Sequence, residues 1–175
     1  MTVDEFLVWC ETAPGRHELV RGEVVAMAPE RVRHARLKFA VQTALASSLG
    51  RSGLPCEMLP DGITVRIDDH TAYEPDALVC CGAALDPDAV EVREPVIVVE
   101  VLSPGTRRID EGAKLADYFR LASLRHYLLI DPKRAVVVHH RRDGDAIATR
   151  IVAQGVLHLD PPGVEIPVGP LFTGP

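Results

Sequence analysis

Glu100 is the residue whose place in the sequence most strongly indicates chemistry. It interrupts Val96–Leu102 (VIVVEVL), a run that is otherwise apolar at every position, as in a central strand covered on both faces. A buried carboxylate is strongly unfavourable unless it is paired with a cation or bound to a metal. The sequence therefore predicts at Glu100 either a metal site or a structural ion pair with a basic residue from a neighbouring helix.

Asp76 is a second carboxylate placed at the start of an apolar segment. It follows Pro75, which fixes the backbone, and it precedes Ala77, Leu78 and Val79. A Pro-Asp pair alone is typical of a turn. An Asp at a strand start and a Glu within a later strand can, however, chelate a hard divalent cation, because Mg²⁺ takes one or two carboxylates plus water and phosphate oxygens.

Basic residues near these carboxylates could contact phosphate. His34 lies within the basic segment 31–38, and Arg107 and Arg108 follow the turn Ser103–Gly105. The alternative for His34 is a solvated basic helix face. The net charge of −6 and pI of about 5.6 argue against a broadly basic surface, so any nucleic-acid binding depends on such local groups or on metal ions.

Hydrophobic periodicity predicts one α/β (α+β) domain over residues 1–175, with a mixed sheet packed by helices. Apolar spacing of helical type predicts helices at 3–12, 31–49 and 111–122. Alternating or continuous apolar runs predict a hairpin at 17–27 and strands at 55–59, 62–67, 75–80, 96–102, 127–132 and 135–139, with weaker strands at 146–152 and 156–159. Segment 82–94 is predicted to be a polar loop.

The remaining expectations concern location, cysteines and assembly. With no long apolar run and an acidic N-terminus, we expect a cytoplasmic protein without a membrane contact. The four cysteines lack metal-ligand spacing, which favours reduced, packed thiols. We interpret the adjacent residues His139 and His140 as an exposed strand end rather than a metal site, because neighbouring side chains on a strand point to opposite faces. Apolar residues in the entry helix and the C-terminal tail favour a homodimer.

Ordered motifs along residues 3–140 resemble the Uma-type restriction endonuclease family, a branch of the PD-(D/E)XK nuclease superfamily. The motifs are His17–Val24 (HELVRGEV), His34, Glu74-Pro75-Asp76, Val99–Thr106 (VEVLSPGT), Asp110 with Lys114, and Tyr127 with Ile130-Asp131-Pro132. The resemblance implies a restriction endonuclease-like fold and a DNA-cleaving enzyme dependent on Mg²⁺ or Mn²⁺.

The resemblance also implies roles for four residues. Asp76, Glu100 and the additional acid Glu18 would bind the metal, and Lys114 would position or deprotonate the attacking water. This sequence departs from the short superfamily motif because Leu102 stands where that motif has its lysine. Lys114, from the following helix, is the candidate replacement.

Each of these assignments has a plainer alternative. Lys114 follows Asp110 by four residues and could form a surface ion pair with it, while Asp110 itself suits a helix N-cap. Glu18 could be a solvated strand residue.

Two alternative functions also remain open at this level. One is a non-catalytic nucleic-acid or protein-binding domain that keeps the scaffold. The other is a hydrolase of a small phosphorylated compound, which would need a closed pocket rather than a groove flanked by basic residues.

Overall fold

The structure, a computed structural model, describes residues 1–103 and 110–173. In these residues the α-helices are α1 (Val3–Cys10), α2 (Val32–Ser52), α3 (Leu115–Tyr118) and α4 (Val168–Phe172), and a π-helical turn, Asp110–Lys114, leads into α3. The strands are β1 (His17–Val20), β2 (Glu23–Ala26), β3 (Cys56–Pro60), β4 (Thr64–Asp68), β5 (Thr71–Tyr73), β6 (Ala77–Cys81), β7 (Glu91–Val92), β8 (Ile97–Val101), β9 (His126–Asp131), β10 (Val136–Asp143), β11 (Ala146–Val152), β12 (Val156–Leu159) and β13 (Val164–Pro167).

Local sequence signals explain where the first two helices begin or end. Thr2 and Glu5 form a capping box at the start of α1, since each side chain accepts a hydrogen bond from the other residue's backbone N–H. Helix α2 ends at Gly53, whose left-handed backbone (φ 67°) suits glycine. Within the described residues, no helix is long and apolar enough to span a membrane.

The described strands form two larger sheets and a hairpin. One sheet has the order β11-β10-β9-β8-β6-β3, with β8 parallel to β9 and antiparallel to β6. The other has the order β2-β1-β5-β4-β7, and β12 pairs with β13. Strand β8 is therefore central to the first sheet, as its apolar sequence predicts.

The two faces of β8 belong to different core clusters. Ile97, Val99 and Val101 pack with α2 and the β12-β13 hairpin, whereas Val98 packs with Tyr118 of α3 and with strands of the second sheet. Because side chains alternate along a strand, Glu100 lies on the same face as Val98. The fold thus places this carboxylate in the layer between the first sheet and α3.

Most of the predicted elements are confirmed, but four expectations are wrong. The helix predicted at 111–122 is a π-helical turn followed by the short α3, and segment 82–94 contains β7. Cys56 and Cys81 form a disulfide across the β3-β6 pair, while Cys10 and Cys80 are free thiols. The His139-His140 pair is buried rather than exposed, since β10 lies inside the sheet between β9 and β11.

His139 forms a buried pair with His126 of the neighbouring strand. His126 Nε2–H donates to the Pro161 carbonyl (2.9 Å), so its Nδ1 accepts the hydrogen bond from His139 Nε2–H (2.8 Å). His139 Nδ1 is buried and has no hydrogen-bond partner within the described residues. Burial lowers the pKa of His126 to about 4 and that of His139 to about 3, so both rings are neutral at pH 7.

This pair should make the protein sensitive to acid. The pKa of each histidine is lower in the folded state than the ordinary value of about 6.5, so the unfolded state binds more protons below that pH. We expect the free energy of unfolding in urea to fall as the pH drops from about 6.5 to about 4, by up to about 1.4 kcal/mol per pH unit for each histidine.

His139→Gln should reduce this dependence, because it removes one titrating ring and keeps an N–H that can donate to His126. The matched control is His158→Gln, on a side chain that is 65% exposed. An equal pH dependence in the wild type and His139→Gln would contradict the role of the pair.

Candidate functional site

Glu100 lies at the centre of a buried polar cluster. Its side chain is on β8 and the residue is only 5% exposed. Its Oε1 accepts hydrogen bonds from Lys114 Nζ (3.0 Å) and from the hydroxyl of Tyr118 (3.1 Å). The structural ion pair considered from the sequence is therefore present, and its partner is the lysine that the resemblance assigns to the site.

Lys114 also binds Glu18, which is the second carboxylate of the cluster. Lys114 Nζ lies 2.8 Å from Glu18 Oε1, and the backbone N–H of Glu74 donates to the same oxygen (3.1 Å). The ammonium is 5.1 Å from the centre of the Tyr73 ring, within the range of a cation–π contact. Both Glu18 (8% exposed) and Lys114 (3%) are buried, so neither is the solvated surface residue that the sequence left open.

Asp76 lies beside this cluster at the start of β6. Its backbone N–H donates to the Val99 carbonyl (3.0 Å) and its Oδ2 accepts from the Val101 N–H (2.7 Å). The antiparallel register, in which Ala77 faces Val99, sets Asp76 opposite Glu100. Burial raises the pKa of Asp76, while the Val101 N–H and the cations of His34, Lys38 and Lys114 act in the opposite direction.

A polar stripe on α2 borders Asp76 on its other side. His34, Lys38 and Gln42 follow one another at four-residue spacing and so share one helix face. His34 Nε2 is 3.7 Å from Asp76 Oδ2, Lys38 Nζ is 3.8 Å from Asp76 Oδ1, and Gln42 Nε2 donates to the Asp76 carbonyl (2.8 Å). Helix α2 therefore holds Asp76 in place through three side chains.

The surroundings of His34 favour a role as a hydrogen-bond donor. Its Nε2 is 2.7 Å from the Val101 carbonyl and its Nδ1 is 2.6 Å from a Glu30 carboxylate oxygen. Both nitrogens thus face oxygen atoms that can accept a hydrogen bond. The predicted contact of His34 with phosphate would require one of these hydrogen bonds to break.

Lys38 is the centre of a second ionic cluster that the sequence reasoning missed. Its Nζ lies 2.7 Å from Glu30 and 2.9 Å from Asp61, and Arg16 also binds Asp61 (2.9 Å). Burial alone would lower the pKa of Lys38, but its bonds to Glu30 and Asp61 outweigh burial and raise the pKa. The signal in the sequence was a lysine four residues after His34, at helical spacing.

Tyr118 is the other residue that the sequence reasoning missed. It is fully buried, its ring lies between those of Tyr73 and Tyr127 (5.4 and 5.1 Å between centroids), and burial raises the pKa of its hydroxyl well above the ordinary value. The hydroxyl therefore stays protonated and can donate to Glu100. The four-residue spacing from Lys114 was the available signal.

The structure brings together some of the predicted site residues and leaves others undescribed. Glu18, Glu100 and Lys114 are in direct contact, and Asp76 lies opposite Glu100. Arg107, Arg108 and the side chain of Asp110 lie outside the described residues. The basic residues Arg31, Arg33 and Arg36 at the start of α2 are exposed.

The chemistry of the donor atoms fits a hard divalent cation. Asp76, Glu100 and Glu18 supply carboxylate oxygens, the ligand type that Mg²⁺ and Mn²⁺ prefer, and an ammonium already lies between two of these carboxylates. Among the described residues, the trio whose ligand atoms all lie within 4.8 Å of one another is a different one, Glu30, His34 and Asp76. That trio is less suited to a metal because both His34 nitrogens already face oxygen atoms of the protein and Glu30 binds Lys38.

The fold around this site is that of restriction endonuclease-like proteins. A crystal structure described as a "putative nuclease belonging to DUF820" from Anabaena variabilis superposes on this chain with a TM-score of 0.78, over 99% of this chain and 98% of that chain, at 16% sequence identity. The likeness confirms the fold class predicted from the motifs.

The chain belongs to the Uma2 family, described as "Putative restriction endonuclease", whose sequence profile matches residues 3–169. Two proteins of Synechocystis sp., both described as uncharacterised, are similar to it. One is 27% identical over 99% of this chain and 92% of its own length. The other is 28% identical over 83% of this chain and 82% of its own length. Membership confirms the resemblance seen in the motifs and supports a nuclease function.

Removing the Tyr118 hydroxyl tests the hydrogen bond to Glu100. Tyr118→Phe keeps the ring packing but loses a hydrogen bond to a charged group, so we expect the free energy of unfolding in urea to fall by about 1.5–3 kcal/mol. The same substitution in a Glu100→Gln background should cost less, because the carboxylate is gone. An equal loss in both backgrounds would show that the hydroxyl does not act through Glu100.

Proposed function

We propose that the protein is a metal-dependent endonuclease that hydrolyses phosphodiester bonds of nucleic acid, with DNA as the first substrate to test. The observation that supports the proposal is the buried set of Glu18, Glu100 and Lys114 beside Asp76. This set lies at one end of the paired strands β6 and β8 in a restriction endonuclease-like fold. Buried charges are rare unless they pair or bind ligands, and all four belong to this one site.

Asp76 and Glu100, with Glu18, are the residues that would hold Mg²⁺ or Mn²⁺. When bound, such an ion lowers the pKa of a water ligand and offsets negative charge on a phosphate. Lys114 would donate hydrogen bonds to the attacking water or to a phosphate oxygen on which charge develops.

The other residues of the site would fix these groups rather than react. Tyr118 holds Glu100 through its hydroxyl, and the side-chain nitrogens of His34 and Lys38 lie 3.7 and 3.8 Å from the Asp76 carboxylate. The exposed arginines at the start of α2, together with Arg107 and Arg108, would contact the phosphates of the nucleic-acid backbone. Because these arginines would neutralise phosphates and release their counterions, binding should weaken as the salt concentration rises.

A homodimer remains a prediction alongside this function. The apolar residues of the C-terminal tail that favoured it from the sequence are mostly buried in the core of this chain, so they do not support it. Val32 (68% exposed) and Phe39 (70%), seven residues apart on α2, instead supply apolar surface that a second copy could cover. The oligomeric state can be measured on the same preparation by light scattering.

Plasmid cleavage tests the proposed function. Supercoiled plasmid and single-stranded oligonucleotides are incubated with Mg²⁺ or Mn²⁺ and either wild type or Glu100→Gln. We expect cleavage by the wild type that EDTA abolishes, and a rate at least about 100-fold lower for Glu100→Gln, because one carboxylate of the site is lost.

Glu57→Gln is the matched control, since Glu57 is an exposed glutamate on the edge strand of the same sheet and should leave the rate unchanged. Equal cleavage by wild type and Glu100→Gln would reveal a contaminant. Binding to nucleic acid without cleavage by any variant would favour the non-catalytic binding domain.

A further inference from the structure

The chain uses lysine sparingly and buries two of its lysines. Of the 19 Lys and Arg residues in the sequence, three are lysines, namely Lys38, Lys114 and Lys133. Lys133 is exposed, whereas Lys38 (6% exposed) and Lys114 (3%) are buried. Lysine is among the residues least often buried, so these two positions require specific anionic partners.

The partners of Lys114 are carboxylates that the proposed function assigns to a divalent cation. Its Nζ lies 2.8 Å from Glu18 Oε1 and 3.0 Å from Glu100 Oε1, so one ammonium bridges the two side chains. A magnesium ion binds oxygen at about 2.0–2.1 Å, which places two oxygens of one ion at most about 4.2 Å apart. The ammonium already occupies one oxygen of Glu18 and one of Glu100, and these are oxygens that such chelation would use.

A divalent cation and the ammonium would therefore compete for the same two carboxylates. We propose that Lys114 is the resident counter-cation of Glu18 and Glu100, and that a divalent cation binds these carboxylates in competition with it, so that the ammonium releases Glu18 when the cation binds. The inference rests on the proposed function, since it concerns how the same site is controlled. The released ammonium would then be available to an incoming phosphate or water.

The backbone at Lys114 suits such a movement better than that at Lys38. Lys114 is the last residue of the π-helical turn Asp110–Lys114, and such turns are frequent at functional sites. Lys38 lies within the regular helix α2, and its two shortest contacts are with Glu30 and Asp61, neither of which belongs to the proposed cation site. Lys38 should therefore keep Glu30 and Asp61 when the cation binds, and only its longer contact with Asp76 (3.8 Å) involves a proposed ligand of the cation.

The affinity for Mn²⁺, measured by calorimetry or by the electron paramagnetic resonance of free Mn²⁺, tests the competition. Lys114→Met removes the competing charge and keeps the length of the side chain, so we expect Mn²⁺ to bind about tenfold more tightly than to the wild type. Lys133→Met removes the same charge at an exposed site and should leave the affinity unchanged.

The outcomes separate this inference from the proposed function. If the wild type binds Mn²⁺ and Lys114→Met binds it equally or more weakly, competition is overturned while the cation site stands. If only Lys114→Met binds, competition is supported and the metal dependence of the wild type is contradicted. Binding by neither protein overturns both.

Because Lys114→Met buries two carboxylates without their ammonium and could fail to fold, the wild type provides a second measurement. Protein labelled with ¹⁵N-lysine contains three side-chain ammonium groups that NMR can follow during a Mg²⁺ titration. We expect the Lys114 signal to shift and its protons to exchange faster with water, while the exposed Lys133 stays unchanged. An unchanged Lys114 signal throughout the titration would overturn the inference.

Discussion

The buried ammonium of Lys114 between Glu18 and Glu100 is the interaction around which the rest of the site is arranged. Removing charges from water is costly, and an ion pair compensates only when the geometry is good and further hydrogen bonds satisfy the groups. Here the backbone N–H of Glu74 supports Glu18 and the Tyr118 hydroxyl supports Glu100. Replacing such a cluster with apolar residues is often neutral or stabilising, so its presence favours a functional reason over a purely structural one.

The fold meets this constraint by bringing three separate parts of the chain to one place. Glu18 comes from β1 of the second sheet, Glu100 from the centre of β8, and Lys114 from the turn before α3. The apolar residues on both faces of β8 fix that strand between α2 and α3, which determines the face on which Glu100 lies. Asp76 is fixed independently by the antiparallel pairing of β6 with β8 and by the polar stripe of α2.

Much of this arrangement could be predicted because single strands and helices carry strong local patterns. The continuous apolar run around Glu100 predicted a central strand, and the motifs around Asp76 and Lys114 identified the family and hence the fold. The partners of these residues were harder to predict, because hydrogen bonds between distant segments leave no local pattern. Lys38 and Tyr118 were missed for this reason, although each lies at helical spacing from a residue that was recognised.

Other features required knowledge of which strands are neighbours. The pairing of β3 with β6 places Cys56 opposite Cys81, and the pairing of β9 with β10 brings His126 to His139. Neither pairing follows from residue types alone, so the disulfide and the buried histidines were assigned wrongly from sequence. The length of α3 was also overestimated, because the helical spacing of apolar residues continues beyond Tyr118 whereas the helical backbone ends there.

The most direct test of the account is to locate Mn²⁺ by anomalous X-ray scattering in crystals of the protein. The account predicts an anomalous peak within ligand distance of carboxylate oxygens from both Asp76 and Glu100, at a Mn²⁺ concentration that supports cleavage. A peak confined to Glu30 and His34, or no peak beside Glu100 at that concentration, would contradict it.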